Sequence, residues 1–349
     1  MDDNSNESGN PSGKQPENEA GRLPDQAPPA IRAEQFAVAR GPKFALHNAF
    51  CGERGLQAGW RLLIFIALLA VISKVLVGIS SAFSHNHPRG QAFAAFTAGS
   101  ILIGELTSFA VVLLASWIMS RIEGRTIGDY GLPARRAFGR TFWQGVLIGF
   151  VAISVLLAAL WLGGALHFHG LGLHGFAIWK YAAAWGAAFL FVGFFEEFSF
   201  RGYALFTLTD GLGFWPAALA LSLLFGYAHH ANSGESWIGS FSAGAFGLLF
   251  CLILRRSGDL WLAVGMHAAW DWGETYFFGV PDSGQVAHGH LLNVSFSGPV
   301  WLTGGSVGPE GSWFSLILLA ILWVGFAVWL RRAKYPNPEA FADQRKIAE

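Results

Sequence analysis

Eight apolar runs, at 60–83, 92–120, 141–166, 177–205, 213–230, 238–254, 258–278 and 312–330, decide what this chain can fold into. Each is near the ~20 residues an α-helix needs to cross hydrocarbon. In lipid no water satisfies the backbone, so such runs must become helices. Of 349 residues, 53% are hydrophobic and only 13% charged, too apolar for an ordinary soluble protein. Fifteen Trp and 31 Phe suit long spans with aromatic anchors at the membrane surface. The chain is therefore expected to be all-α: a polytopic membrane helical bundle of about eight transmembrane helices with a disordered N-terminal tail.

The links between the runs carry the charge asymmetrically. Arg121, Arg125, Arg135, Arg136 and Arg140 follow or flank the second run, Arg255 and Arg256 the sixth, and Arg331, Arg332 and Lys334 the eighth. Arg40, Lys43 and Arg54 precede the first, whereas the alternate links hold a single basic residue, Arg89. Basic links stay on the cytoplasmic side, so both termini are expected there, in a multi-pass protein of the cell inner (plasma) membrane. Three segments follow: a disordered cytoplasmic tail at 1–55, a transmembrane domain at 56–332 and a short cytoplasmic tail at 333–349. The first tail is polar and Pro/Gly/Ser-rich with no short apolar segment, so neither a packed core nor a cleaved signal peptide is expected in it. Zero net charge leaves no basic surface for nucleic acid. Cys51 and Cys251 form neither a disulfide framework nor a metal cluster. The link 279–311 is long and Gly/Ser-rich; with its Val, Phe and Trp it is a candidate to dip into the membrane surface or cover the bundle.

Three groups of polar side chains interrupt the apolar runs. Glu196, Glu197 and Arg201 lie in the fourth, Phe225 and His229 in the fifth, and His267 and Asp271 in the seventh. An ionisable group at bilayer depth costs on the order of 3 kcal/mol by insertion scales, so each needs a partner or a task. Glu197 and Arg201 are four residues apart with the acid first, the favourable order for an intrahelical ion pair. Glu196 points about 100° away and needs a partner from another helix. His229 and His267 are the candidates, and His267 shares a helical face with Asp271.

Taken singly, these residues have plain explanations: a structural ion pair, an interfacial histidine, a hydrogen-bonded His–Asp pair. Together they can activate water. A carboxylate and an imidazole within reach of one water remove its proton as it attacks a carbonyl, and a second imidazole can donate to the oxyanion. The same set could hold a divalent metal such as zinc, on His229 and His267 with Glu196 or Asp271. There is no HExxH helix and no evident Ser–His or Cys–His nucleophile.

The motifs EEFSFR (196–201), FGYAH (225–229) and HAAWD (267–271), in that order on successive spans, resemble the CPBP family. That family comprises CAAX-type prenyl-protein endopeptidases and bacteriocin-processing or self-immunity proteins. RTIGDYGL (125–132) is similar to the family as well, and the likeness covers roughly 92–278. The resemblance implies a catalytic Glu196, a water-activating His229, an oxyanion-stabilising His267 and supporting roles for Glu197, Arg201 and Phe225. Asp271 stands where eukaryotic members carry asparagine. An ionised aspartate cannot donate to an oxyanion, so Asp271 is expected to accept from His267 and fix its tautomer, or to ligate a metal. The family has been described both as metalloprotease and as glutamate-dependent without metal, and both options stay open, with no cofactor certain.

The chain is thus expected to be an intramembrane endopeptidase acting on a membrane-associated protein or peptide within the lipid bilayer. Two rivals are a non-enzymatic scaffold or bacteriocin self-immunity protein and a proton-coupled transporter. Hydrolysis requires Glu196 to share one cavity with both imidazoles.

Overall fold

Each apolar run takes the helical form that satisfies its backbone internally. The computed structural model describes residues 51–52, 55–83, 96–232 and 235–336. The expected N-terminal tail to residue 50 and the end of the C-terminal one, from residue 337, lie outside the described residues. Among the described residues, the α-helices of ten residues or more are α1 Ala58–Phe83, α2 Ala98–Glu123, α3 Arg140–Leu162, α4 Phe176–Arg201, α5 Tyr203–Leu212, α6 Phe214–His229, α7 Trp237–Ser257, α8 Trp261–Asp271 and α9 Trp313–Trp329. A π-helix, Trp272–Phe278, continues α8. Among the described residues the named strands form two short antiparallel ribbons: β1 Cys51–Gly52 with β2 Gly55–Leu56, and β3 Leu166–Leu171 with β4 Leu292–Phe296. The protein is an all-α membrane bundle.

Several boundaries differ from those expected, each for a local reason. The second span starts at Ala98, because the Thr97 hydroxyl accepts from the Ser100 amide while the Ser100 hydroxyl accepts from the Thr97 amide. The third stops at Leu162, since Leu166 onward is drawn into the ribbon with the 279–311 link. The fourth ends at Arg201, where the chain bends at Gly202 and runs on through ten-residue α5. Among the described residues, five stretches are long and apolar enough to span a membrane: 58–81, 98–123, 140–162, 176–212 and 237–257. The expected count of eight is met in helices but not in full-length spans. α6 and α9 have only 16 and 17 residues, and the seventh run divides between α8 and the π-helix.

The burial is that of a lipid-facing protein. α1 turns Leu63, Ile66, Val71 and Val77 outward, while charged groups are gathered inside at one end of the bundle. There Glu123 at the end of α2 accepts from the Tyr130 and Tyr203 hydroxyls and pairs with Arg61 and Arg125. Arg61 reaches Asp210 of α5 as well, at 2.8 Å. The ions on α1, α2 and α5 are thus mutually satisfied rather than left in hydrocarbon. At the same end Arg256 of α7 donates to the Ala327 and Leu330 carbonyls and closes the C-terminus of α9.

α3 and α8 make the most extensive helix pair, and glycine makes it possible. A Cβ on Gly145 would overlap the Leu262 carbonyl, one on Gly149 the Met266 carbonyl, and one on Gly265 the Phe142 carbonyl. Backbone therefore lies on backbone, the small-residue packing that membrane helices use when no hydrophobic force draws them together. This seam fixes the height and rotation of α8 one residue before His267. Gly149→Ala should destabilise the bundle by about 1–3 kcal/mol, read as a lower melting temperature in detergent. Gly78→Ala on α1, with nothing within 4 Å of the new carbon, should leave melting unchanged or slightly raised.

Candidate active site

α4 supplies Glu196, Glu197 and Arg201 from its last turns, α6 ends on His229, and α8 carries His267 and Asp271. Glu197 and Arg201 are wholly enclosed; Oε1 of Glu197 lies 3.2 Å from Arg201 Nη1. The same oxygen is 2.8 Å from His267 Nδ1. One buried carboxylate therefore holds a cation on its own helix and an imidazole on another.

Aromatic rings complete the seat. The Arg201 guanidinium sits 4.3 Å from the Phe225 ring centroid, a cation–π contact. Gly247 of α7 leaves room for it, since a Cβ there would meet the guanidinium. Phe225 also packs 4.4 Å from the His229 ring, and its carbonyl lies 2.9 Å from His229 Nδ1. Phe225 thus touches both Arg201 and His229, which gives the FGYAH spacing its physical sense. His267 stacks on Phe250, centroids 5.4 Å apart and planes within 10°.

These contacts assign the ring nitrogens. A carbonyl only accepts, so His229 Nδ1 carries the hydrogen; the carboxylate of Glu197 likewise takes the Nδ1 hydrogen of His267. Both Nε2 atoms are left facing Glu196. Its Oε2 lies 3.5 Å from His267 Nε2 and 4.0 Å from His229 Nε2. It is buried with no hydrogen-bond partner among the described residues. Such separations are at or beyond direct hydrogen-bond length, in the range where a water belongs between the groups. Asp271 Oδ2 is 3.6 Å from His267 Nε2, on the side facing the cavity. The tautomer-fixing contact expected of Asp271 is made by Glu197 instead.

The depth of His229, which span edges alone leave too near the outer face, is explained by α5 and α6. Ten residues beyond Gly202 precede the return, and the 16 residues of α6 bring His229 back to Glu196.

The groups open on a cavity of about 220 Å³. Its wall also contains Glu105 of α2, Asn232, and, from the 279–311 link, Asp282 and Glu310. Burial pushes the Asp282 carboxyl up to about 6. Burial, and then the neighbouring Asp282 charge, push Glu310 up to about 8. Sequence reasoning passed over Glu105, Asp282 and Glu310. For Glu105 the signal was present, a lone acid within an apolar run; Asp282 and Glu310 come from a link whose path periodicity does not reveal.

As metal ligands, Glu196, His229 and His267 fit in kind. Two imidazoles with Nδ1 occupied and Nε2 turned to a carboxylate form a zinc-type donor set, and Glu197 behind His267 is the outer support such histidines keep. In spacing, Glu274, Asp282 and Glu310 are the group whose donor atoms lie within 4.8 Å of one another among the described residues.

Residues 178–273 match the family model described as Rce1-like, Type II CAAX prenyl endopeptidase Rce1-like. The match takes in all three motifs and agrees with the resemblance to the CPBP intramembrane proteases, over a shorter stretch than 92–278. No curated protein matches the chain.

Removing the cation from the buried pair tests the seat. Arg201→Met should destabilise the protein by about 3–5 kcal/mol, because Glu197 is left charged and enclosed. The measurement is thermal unfolding in detergent.

Proposed function

We propose that this chain, whose residues 178–273 are an Rce1-like CAAX endopeptidase domain, hydrolyses a peptide bond of a membrane-associated protein or peptide with a water activated by Glu196 and His229. The observation that carries the reading is the unpartnered Glu196 Oε2 facing two imidazole Nε2 atoms at 3.5 and 4.0 Å. A water bound between Glu196 and His229 gives up a proton to this pair as its oxygen attacks the scissile carbonyl carbon. The proton then passes to the leaving amine, and the C–N bond breaks. His267, when protonated, offers Nε2–H to the oxyanion, its ring held by Glu197 and Phe250. Asp271, beside the same nitrogen, balances that imidazolium.

The substrate class follows from the walls. Phe96, Ile101, Phe189 and Val192 line one side of the cavity, suiting an apolar segment presented from the bilayer. The family name speaks of CAAX prenyl substrates; for this chain a membrane-associated peptide is the proposed class. The basic links support a reading with both termini on the cytoplasmic side of a cell inner membrane.

A second reading rests on the tautomers. With both Nε2 atoms free, His229, His267 and Glu196 would hold a divalent metal such as zinc. When bound, it would polarise the carbonyl and acidify water. Metal analysis by mass spectrometry, with cleavage measured before and after chelation and zinc readdition, separates the readings.

Glu196→Gln preserves shape and removes the base. In liposomes bearing fluorogenic membrane peptides it should slow cleavage on the order of 10²–10⁴-fold, and His229→Ala should do likewise. Unchanged cleavage by folded Glu196→Gln would remove Glu196 from the chemistry, and no cleavage by folded wild type would overturn the hydrolytic reading in favour of a scaffold or immunity role.

A further inference from the structure

Beside the cavity, three acids come together that the hydrolytic reading does not use as a group. Glu274 projects from the π-helix, Asp282 from the turn that follows it, and Glu310 from the 3₁₀ turn Pro309–Gly311 leading into α9. One carboxylate oxygen from each lies within 4.8 Å of the other two. Donors are scarce. The Trp270 indole N–H is shared, 2.9 Å from Glu274 Oε2 and 2.9 Å from Glu310 Oε1, and the Thr275 hydroxyl donates to Asp282 Oδ2 at 2.7 Å. Among the described residues, no Arg, Lys or His forms an ion pair with any of the three.

A separate observation concerns Glu274 itself. It is fully buried, its carboxylate is directed into the cluster, and Oε1 has no hydrogen-bond partner among the described residues. An orphaned carboxylate oxygen in an enclosed site is unfavourable unless something positive or protic meets it. Three carboxylates this close cannot all ionise unaided. Glu274 belongs to a π-helix, a distortion that occurs mostly at functional positions.

We propose that Glu274, Asp282 and Glu310 form a binding site for a hard divalent cation of the calcium kind, fastening the 279–311 link to the cavity wall. The donors are all oxygen, with no imidazole or thiolate, which disfavours zinc and copper. Opposite ligands of calcium, at ~2.3–2.6 Å each, span about 4.6–5.2 Å, whereas magnesium at ~2.1 Å demands a tighter octahedron. Asp282 and Glu310 lie in the 279–311 link, one of the basic-poor links and so on the expected outer side, where extracellular calcium modules work with dissociation constants of about 10⁻⁴–10⁻³ M. It shares no ligand with Glu196, His229 and His267. Because Asp282 and Glu310 also line the cavity, an occupied site holds one wall in place, and chelator sensitivity would arise here without a metal at the histidines.

The test uses the full chain in detergent and terbium as a calcium surrogate, excited through tryptophan; Trp270 touches two of the ligands. Wild type should show saturable terbium emission displaced by calcium, and its melting temperature should rise with calcium over chelator. Glu310→Gln and Asp282→Asn should each weaken terbium binding by at least about tenfold and abolish the calcium-dependent rise. Should a variant fail to fold, the wild-type calcium titration of melting decides alone. No saturable emission, equal affinity in folded variants, or melting indifferent to calcium would overturn the proposal and assign the cluster to shared protons. Glu196→Gln should bind terbium like wild type, so failure here leaves the hydrolytic reading to its own test.

Discussion

A single enclosed carboxylate holds the centre of this protein together. Oε1 of Glu197 is shared between Arg201 on its own helix and His267 on α8. In a medium where an isolated charge is costly, neither partner can leave without stranding the other. The consequence is geometric as much as energetic. Fixing Nδ1 of His267 fixes the direction of Nε2, and that direction is toward Glu196. Phe225 does the parallel service for His229, its carbonyl accepting the Nδ1 hydrogen while its own ring covers Arg201. The adjacent glutamates therefore divide the labour: Glu197 is consumed by structure, which leaves Glu196 unpartnered and facing the cavity.

Much of this was legible in the sequence because membrane physics simplifies the problem. Apolar length announces helices, and all eight expected runs contain one. The four-residue spacing of Glu197 and Arg201 and the isolation of Glu196 could be read from the period of a helix. What escaped depended on where helices break. Nothing in 177–205 marks Gly202 as a bend, so neither α5 as a separate helix nor the return of His229 to the level of Glu196 is legible there. The His267 partner was misjudged for a similar reason: Asp271 is four residues away on the same face, while Glu197 reaches the ring only because the glycine seam between α3 and α8 sets the rotation of α8. Asp282 and Glu310 belong to a link whose polar, Gly-rich sequence carries no periodicity, and only its folded path brings them to the cavity.

The enclosure of the site is uneven. On one side lie the α3–α8 seam, closed backbone to backbone, and the stacked Phe250. On the other, the cavity wall is made from α2, which packs on α4, the end of α6, which packs on α7, and pieces of the 279–311 link. The α3–α8 side carries His267 and Asp271, α2 carries Glu105, and the link carries Asp282 and Glu310.

The shortness of α6 has a bearing on the surrounding lipid. Sixteen residues rise about 24 Å, against a hydrocarbon thickness of about 30 Å. α9, one residue longer, meets α6 through Trp215 and Trp323, and both turn apolar flanks outward, among them Leu219, Leu223, Ile321 and Val324. Undersized helices that touch at a tryptophan pair draw the two leaflets together locally. Water and headgroups then stand nearer to His229 than its place among apolar residues would imply, and a chain lying along that flank meets the reactive groups in a pinched part of the bilayer.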